Sequence, residues 1–478
     1  MNLAQCETHR DEKGSLNLKM KYLTWESYRP TKHEVIRLLA TLLLWFATVL
    51  SSATKATATI SVPISDHDLI QQSVAIVVGQ VKTIESFSDL QEGLIFTCIT
   101  LTIDDVLKGD VSITELTIKQ PGGAVGGTTT YIFGSPEFTT GEQVLLFLTC
   151  NADGTLRVAH FYQGKFSIVS DEVTGKKMVN RNDNPAQVLV LDGIDKVEAF
   201  GPKLGKLREL ELFKARIRAM VNEESQRPEV RSTPSILLTP PSVTEVSELL
   251  PEFHTPNMSR WFEPDDGAPV KMRVNSQGEP DALGYGFEQI QAALQAWSGV
   301  DGSSFQYQDG GFTDADGFQK DGVSAISFGD PLGQMDPPTD CAGLLAIAGF
   351  MQDVTETRIV NGQSFFRIVE GDVVFNTGWK GCGFLEDFNN FAEVAAHELG
   401  HVLGLAHATD PEAIMYPYAH LDRRGASLGK DDIDGLVFLY PAPNVPLDVA
   451  TLLSPSGSTD PTPTYTWMAV TGATWYYL

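Results

Sequence analysis

The sequence predicts the α+β class: a mixed sheet and a histidine-bearing helix over residues 259–441, preceded by an all-β domain and followed by the start of a β-sandwich. Three observations predict it. β-Branched and apolar runs, punctuated by glycine and proline, fill residues 59–200. The alternating stretch Pro269-Val-Lys-Met-Arg-Val-Asn is then followed by helical spacing at Phe287, Ile290, Leu294 and Trp297. Last, four of the nine histidines cluster between 397 and 420.

A chain of 478 residues suits one to three domains. Its net charge of −26 opposes approach to nucleic acid and to anionic membranes, so no nucleic-acid partner is expected. Residues 1–58 read as an N-terminal region with a signal peptide near 32–58. Lys32 and Arg37 precede about 13 apolar residues, Leu38–Leu50, and small residues follow, ending in Ala56-Thr57-Ala58. That run is shorter than the roughly 20 residues of a membrane span. Secretion with cleavage is expected, with no stable membrane insertion afterwards; retention as an anchor is the alternative. Cys6 lies ahead of the signal. Cys98, Cys150, Cys341 and Cys382 allow three pairings. Proximity favours Cys98–Cys150 and Cys341–Cys382, which an oxidising compartment permits.

Within residues 59–200, the runs beginning at Val74, Leu94 and Gln143 read as strands of a small barrel or sandwich. His67 and His160 are isolated and read as structural or surface residues. Residues 201–258 are a helix and a linker: Lys203 to Val221 has amphipathic spacing at Leu207, Leu210, Leu212, Ile217 and Met220, and Asn222 to Met258 carries six prolines. Further strands are expected at Val323-Ser-Ala-Ile-Ser-Phe and Gly371-Asp-Val-Val-Phe, with a closing helix around Asp432 to Leu439. Residues 442–478 read as a linker and the first strands of a β-sandwich, a fragment of a longer domain.

The chemistry lies in His397-Glu-Leu-Gly-His401-Val-Leu-Gly404-Leu-Ala-His407. On a helix, residues four apart share a face, so His397 and His401 can reach one metal. Glu398 then stands beside the metal as a candidate general base. Asn390 with Glu393 makes a capping box for this helix. Gly404 ends it, because glycine enters the left-handed region without steric cost, and His407 can turn back as third ligand. Three neutral imidazoles with one open position suit a single catalytic zinc ion.

These residues resemble the metzincin metalloproteases, and Met415 in Ala413-Ile-Met-Tyr-Pro-Tyr is similar to the methionine turn of that clan. Arg260-Trp, Pro269-Val-Lys-Met-Arg-Val, Ala293-Leu-Gln-Ala-Trp-Ser and Asp431-Asp-Ile-Asp-Gly-Leu resemble the matrixin branch in its bacterial form. The resemblance implies a metzincin-like catalytic domain over 259–441, with a twisted sheet above an active-site helix. It implies a zinc endopeptidase acting on protein or peptide substrates. An extended substrate would pair with an edge strand at Leu344-Leu-Ala-Ile-Ala, which contains Leu345, Ala346 and Ile347. Pro417 and Tyr418 would wall the specificity pocket.

Departures from the family pattern are also legible. Ile347 and Val374 stand where animal matrixins carry histidines for a structural zinc, so none is expected. Pro417 excludes a tyrosine ligand two residues past Met415. No cysteine sits in the family's latency context. His420 reads as a pocket-loop residue and Asp410 as a surface residue. Asp314-Ala-Asp-Gly with Asp321-Gly322 gathers hard oxygen donors and is a candidate calcium site, a surface turn being the favoured alternative. A surface binding or adhesion protein with a silent metal-holding domain is the reading from a different class; the intact Glu398 and three ligands argue against it.

Overall fold

The computed structural model describes residues 4–10, 16–22, 60–89, 94–109, 114–171, 174–181, 208–224, 255, 258–420, 422–442, 452–454 and 466–467. The expected signal peptide, most of the Pro-rich linker and nearly all of 442–478 lie outside the described residues. The chain divides into two compact units, Met1–Lys55 and Ala56–Leu478. In the first, β1 (Ala4–Arg10) pairs antiparallel with β2 (Leu16–Tyr22).

The second unit begins with a β-rich region. Its elements are β3 (Ser61–Val62), α1 (Asp66–Gln72), β4 (Ala75–Ser88), β5 (Ile95–Lys108), β6 (Glu115–Pro121), β7 (Gly123–Val125), β8 (Thr128–Ile132), β9 (Gln143–Cys150), β10 (Leu156–Val158), β11 (Lys165–Ser170), β12 (Lys177–Arg181), β13 (Arg208–Glu209) and α2 (Leu210–Glu224). The sheet runs β10-β6-β5-β4-β9-β11-β12-β13, and β10 also pairs with β9. Five strands, β4, β5, β6, β10 and β9, therefore close on themselves as a small barrel. Period-two alternation supplies its two faces. Val77, Val144 and Leu146 line one cluster, while Ile76, Val78 and Phe147 meet Leu210, Phe213 and Ile217 of α2 in another. Leu212, counted in the apolar face from sequence, is instead exposed.

The expected Cys98–Cys150 bridge is overturned, for both thiols are free. Register is the reason. Cys150 faces Leu156, Leu156 faces Ile118, and Ile118 faces Ile99, so by that route two strands stand between the cysteines; through β4, Cys98 faces Glu85 whereas Leu148 faces Ala75, far along the strand. Three strand spacings make about 14 Å, beyond the reach of a disulfide. Cys341 and Cys382 do pair, with Cα atoms 5.5 Å apart.

The remaining elements are β14 (Ser259–Arg260), β15 (Val270–Asn275), α3 (Phe287–Ser298), β16 (Tyr307–Thr313), β17 (Ala325–Ser327), β18 (Gly343–Leu344), β19 (Ala346–Val360), β20 (Gln363–Phe375), α4 (Phe388–Val402) and α5 (Lys430–Leu439). Beyond them β21 (Leu452–Ser454) pairs with β22 (Thr466–Trp467). A mixed sheet has the order β16-β15-β17-β20-β19-β8-β7. β15, β16, β17 and β20 run parallel, and β19 runs antiparallel to β20. Ile290, Leu294 and Trp297 of α3 and Val394, Leu399 and Val402 of α4 pack into the core with Val274, Ile326 and Val373 of the sheet.

The last two strands of that sheet, β8 and β7, belong to the β-rich region. One apolar cluster likewise mixes Phe96, Ile132, Phe161 and Tyr162 with Phe318, Met335, Leu344 and Ile347. The β-rich region and the region with the histidine-bearing helix thus share a sheet and a core. No helix among the described residues is long and apolar enough to cross a membrane.

Candidate active site

The helix α4 that carries the histidines is capped by Asp387, not by the Asn390–Glu393 box expected from sequence. The backbone N–H groups of Asn389 and Asn390 donate to Asp387 Oδ1 at 3.0 and 3.2 Å. Asp387 is extended, with φ −108° and ψ 120°, the conformation a cap needs, while Asn390 is already helical. Glu393 serves His420 instead: its Oε1 accepts from the His420 backbone N–H at 2.8 Å and meets the ring Nδ1 at 2.7 Å. His420 Nε2 lies 2.7 Å from Pro411 O, so this histidine stands apart from the metal ligands. Asp410 Oδ1 accepts from Glu412 N–H within its own turn.

The far end of α4 is satisfied by aromatic donors. Tyr307 OH donates to Leu399 O at 2.6 Å, Trp261 Nε1 to Val402 O at 2.9 Å and Tyr440 OH to Leu403 O at 2.5 Å. Leu399 O also accepts from the Leu403 backbone N–H at 3.1 Å, whereas the Val402 and Leu403 carbonyls would otherwise be orphans of the last turn. Gly404 follows with φ +111°, and a Cβ there would stand 2.7 Å from Ser259 O. That bend returns the chain to His407.

The imidazoles of His397, His401 and His407 converge, with ligand atoms all within 4.8 Å of one another. Among the described residues this is the one such group. His397 Nδ1 donates to Ile414 O at 2.6 Å, and His401 Nδ1 donates to Leu405 O at 2.8 Å. Those bonds set the tautomers and turn the Nε2 lone pairs inward. His397 Nε2 lies 3.0 Å from His407 Nε2, while His401 Nε2 and His407 Nδ1 have no hydrogen-bond partner. Converging lone pairs in a buried site repel one another unless a cation lies among them, and the donor set fits zinc. Burial depresses all three pKa values, that of His397 to about 3, so the rings stay neutral as ligation requires.

Glu398 is fully buried beside them. Its Oε1 accepts from the Ile60 backbone N–H at 3.4 Å, and Oε2 has no partner. Burial pushes this carboxyl up to about 8; a dication alongside would pull it down. Met415 packs beneath α4, where a Cβ on Gly400 would come within 2.2 Å of its Sδ. Asp432 holds this turn: its carboxylate accepts from Ile414 N–H at 2.7 Å and Met415 N–H at 3.0 Å. From sequence, Asp432 stands at the start of the closing helix and in a family-like stretch, with no role at the metal.

The cleft residues expected from sequence flank one segment. Leu345 N–H donates to Ile60 O at 3.2 Å, and β3 pairs antiparallel with β18. Opposite, Ser61 N–H donates to Pro417 O at 3.1 Å, and Ser61 runs parallel to Tyr418. Ala346 starts β19, and Ile347 faces Val374 across β20 within an apolar cluster. Phe133 N–H donates to Ala348 O at 3.0 Å, and the Phe133 ring stacks on His401 with centroids 4.0 Å apart. Ile60 and Phe133 carried no sequence signal. Of the calcium candidates, Asp314 accepts from Ser276, Asp316 from Asn275, and Asp321 from Val323 N–H; among the described residues they form no group of three acidic ligands.

Three imidazoles on a helix and its returning turn, with a carboxylate alongside, define the class as a His-Glu-x-x-His metal centre. Residues 287–441 match the matrixin family, and the chain carries a matrixin domain there. Similar proteins include matrix metalloproteinase-20 of Homo sapiens, 49% identical over 71 residues, 15% of this chain and 14% of that one. Neutrophil collagenase of Homo sapiens is 40% identical over 96 residues, 20% of this chain and 19% of its own. Stromelysin-1 of Rattus norvegicus is 45% identical over 74 residues, 15% and 16% of the two chains. The matches span less than one fifth of these relatives.

Proposed function

We propose that the chain is a secreted zinc metalloendopeptidase that hydrolyses internal peptide bonds of extended protein substrates. The observation that carries this is the convergence of three neutral imidazoles beside a buried carboxylate with an unpartnered oxygen. When bound, zinc acidifies a water and polarises a peptide carbonyl. Glu398 takes the proton of the attacking water at Oε2 and delivers it to the leaving amine nitrogen. His397 is held for ligation by Ile414 O, within the turn that Asp432 anchors. The backbones of Leu345 and Pro417 offer an extended peptide two pairing edges, which sets its direction across the cleft. Secretion is supported by the leader-like run before residue 58 and by the Cys341–Cys382 disulfide.

Glu398→Gln tests the reading. It keeps the shape and removes the base, so peptide turnover falls at least about 1000-fold, the order expected for general base catalysis with its associated electrostatics. Zinc content measured on the same sample stays near one per chain. Turnover undiminished in that variant, or insensitive to a chelator in the parent, overturns the assignment.

A further inference from the structure

Two separate segments of the β-rich region lie along the cleft, one on each side of the metal centre. On one side the chain from Ile60 to Val62 pairs antiparallel with Gly343–Leu344 and parallel with Tyr418. On the other, β8 pairs antiparallel with β19 from Asp353 to Gly349, and Phe133 continues the pairing to Ala348. Both segments run in the same direction along one edge. Read from Thr128 to Phe133 and then from Ile60 to Val62, they trace one extended peptide, interrupted between Ala348 and Leu345. The interruption falls at the metal centre, with Phe133 stacked on His401 and Ile60 N–H on Glu398.

We infer that the β-rich region is an inhibitor of the metal centre of its own chain, occupying both halves of the substrate path with two strands that no scissile bond joins. The inference rests on the protease reading above. From Phe133 the chain leaves the cleft at Gly134, so no continuous peptide crosses the catalytic residues. Leader removal after Ala58 would leave Thr59 alone ahead of Ile60, making the other strand a chain end.

The two strands are clamped by one turn, Phe161–Gly164. Tyr162 N–H donates to Gly134 O at 3.0 Å, and the Tyr162 hydroxyl meets Ser61 Oγ at 2.8 Å. Gln163 Oε1 accepts from Ile64 N–H at 2.9 Å. The region is anchored to the metal-bearing side by Arg157 and Asp336, a buried ion pair at 2.8 Å. Its apolar cluster and its shared sheet make the contact part of the fold rather than a tethered flap. A competitor built into the same chain acts at a high effective concentration, on the order of millimolar or above. Dilute substrate therefore does not displace it, and no thiol is needed for latency.

The test uses the full processed chain and two variants, Ser61→Pro, which deletes the N–H given to Pro417 O, and Phe133→Ala, which bares His401. Zinc content and cooperative thermal melting are checked in each. Binding of a zinc-chelating peptide hydroxamate is read by calorimetry, alongside turnover of a generic peptide pool. Both variants are expected to bind the hydroxamate at least tenfold more tightly than the parent and to cleave correspondingly faster. In the parent, the Leu345 amide is expected to exchange with solvent deuterium slowly. Equal hydroxamate affinity in parent and variants, or rapid exchange at Leu345 in the parent, overturns the inhibitor reading and leaves the protease reading intact. Tighter hydroxamate binding without peptide cleavage by any form supports the seated inhibitor and sinks the protease reading. Should Ser61→Pro fail to fold, Phe133→Ala and the exchange of the unmodified chain still decide.

Discussion

Gly400 shows how closely one position is specified inside the metal-binding motif. It has an ordinary helical conformation, so backbone freedom does not explain it. A Cβ there would stand 2.2 Å from Met415 Sδ and 2.8 Å from Trp297. Gly400→Ala is therefore expected to cost about 1–3 kcal/mol through overpacking, despite alanine's better helix propensity. A urea unfolding midpoint that rises instead would contradict this packing. The same scale shows what residue identity disclosed in advance. His397, His401 and Glu398 were legible because one helical turn relates them, and Gly404 because a left-handed bend was needed. Sequence points to Asn390 as readily as to Asp387 for the cap, since both are good capping residues and only backbone conformation distinguishes them.

At the scale of elements, α4 and the strand beside the cleft are tied together covalently. Cys341 precedes β18 and Cys382 precedes α4, closing a loop with a separation of 41 residues. Replacing both cysteines by serine is expected to cost about 2–4 kcal/mol. Reductant should then lower the melting temperature of the parent but not of the variant; equal shifts in both would refute the bridge's contribution. Asp432 joins α5 to the methionine turn by accepting from Ile414, Met415 and Gly429 backbone N–H groups. Asp432→Ala orphans these buried donors, so zinc affinity as well as stability should fall, by about tenfold or more for a group of this kind around a ligand. Metal-buffer titration measures it, and unchanged affinity would show that His397 is positioned without this turn.

For the whole molecule, the seam between the β-rich and metal-bearing regions contains a buried histidine. His160 is wholly buried; its backbone N–H donates to Asp336 Oδ2 at 2.5 Å, and its ring lies against Gly343. Burial lowers its pKa below the ordinary 6.5; Arg157 and Arg181 add to that, and Asp336 and Asp68 oppose it. The folded chain holds the neutral ring. Its stabilising contribution is thus present above the unfolded pKa of about 6.5 and is lost as pH falls through the lower folded value. His160→Asn removes the titration and suits the left-handed backbone found there, with φ 49°. Stability measured at pH 7 and pH 5 should drop more in the parent than in the variant. An equal drop would place the acid sensitivity elsewhere.

The sequence by itself determined the metal triad, its adjacent carboxylate and the glycine bend, because these depend on spacing within one helical turn and on local backbone sterics. It also showed a β-rich region ahead of the helix, through alternation and turn residues. Only the tertiary structure decided that Cys98 and Cys150 stand apart, since strand register around a closed barrel is absent from any local pattern. It alone decided which segments pair beside the three histidines. Ile60 meets Leu345 and Glu398, and Phe133 meets Ala348 and His401. These partners are more than 200 residues apart in the chain, and backbone pairing at such range is side-chain-blind: an ordinary Ile-Ser-Val and a single Phe serve as well as many other sequences. Which strand fills an edge is settled by the packing of the entire fold, and no motif announces it.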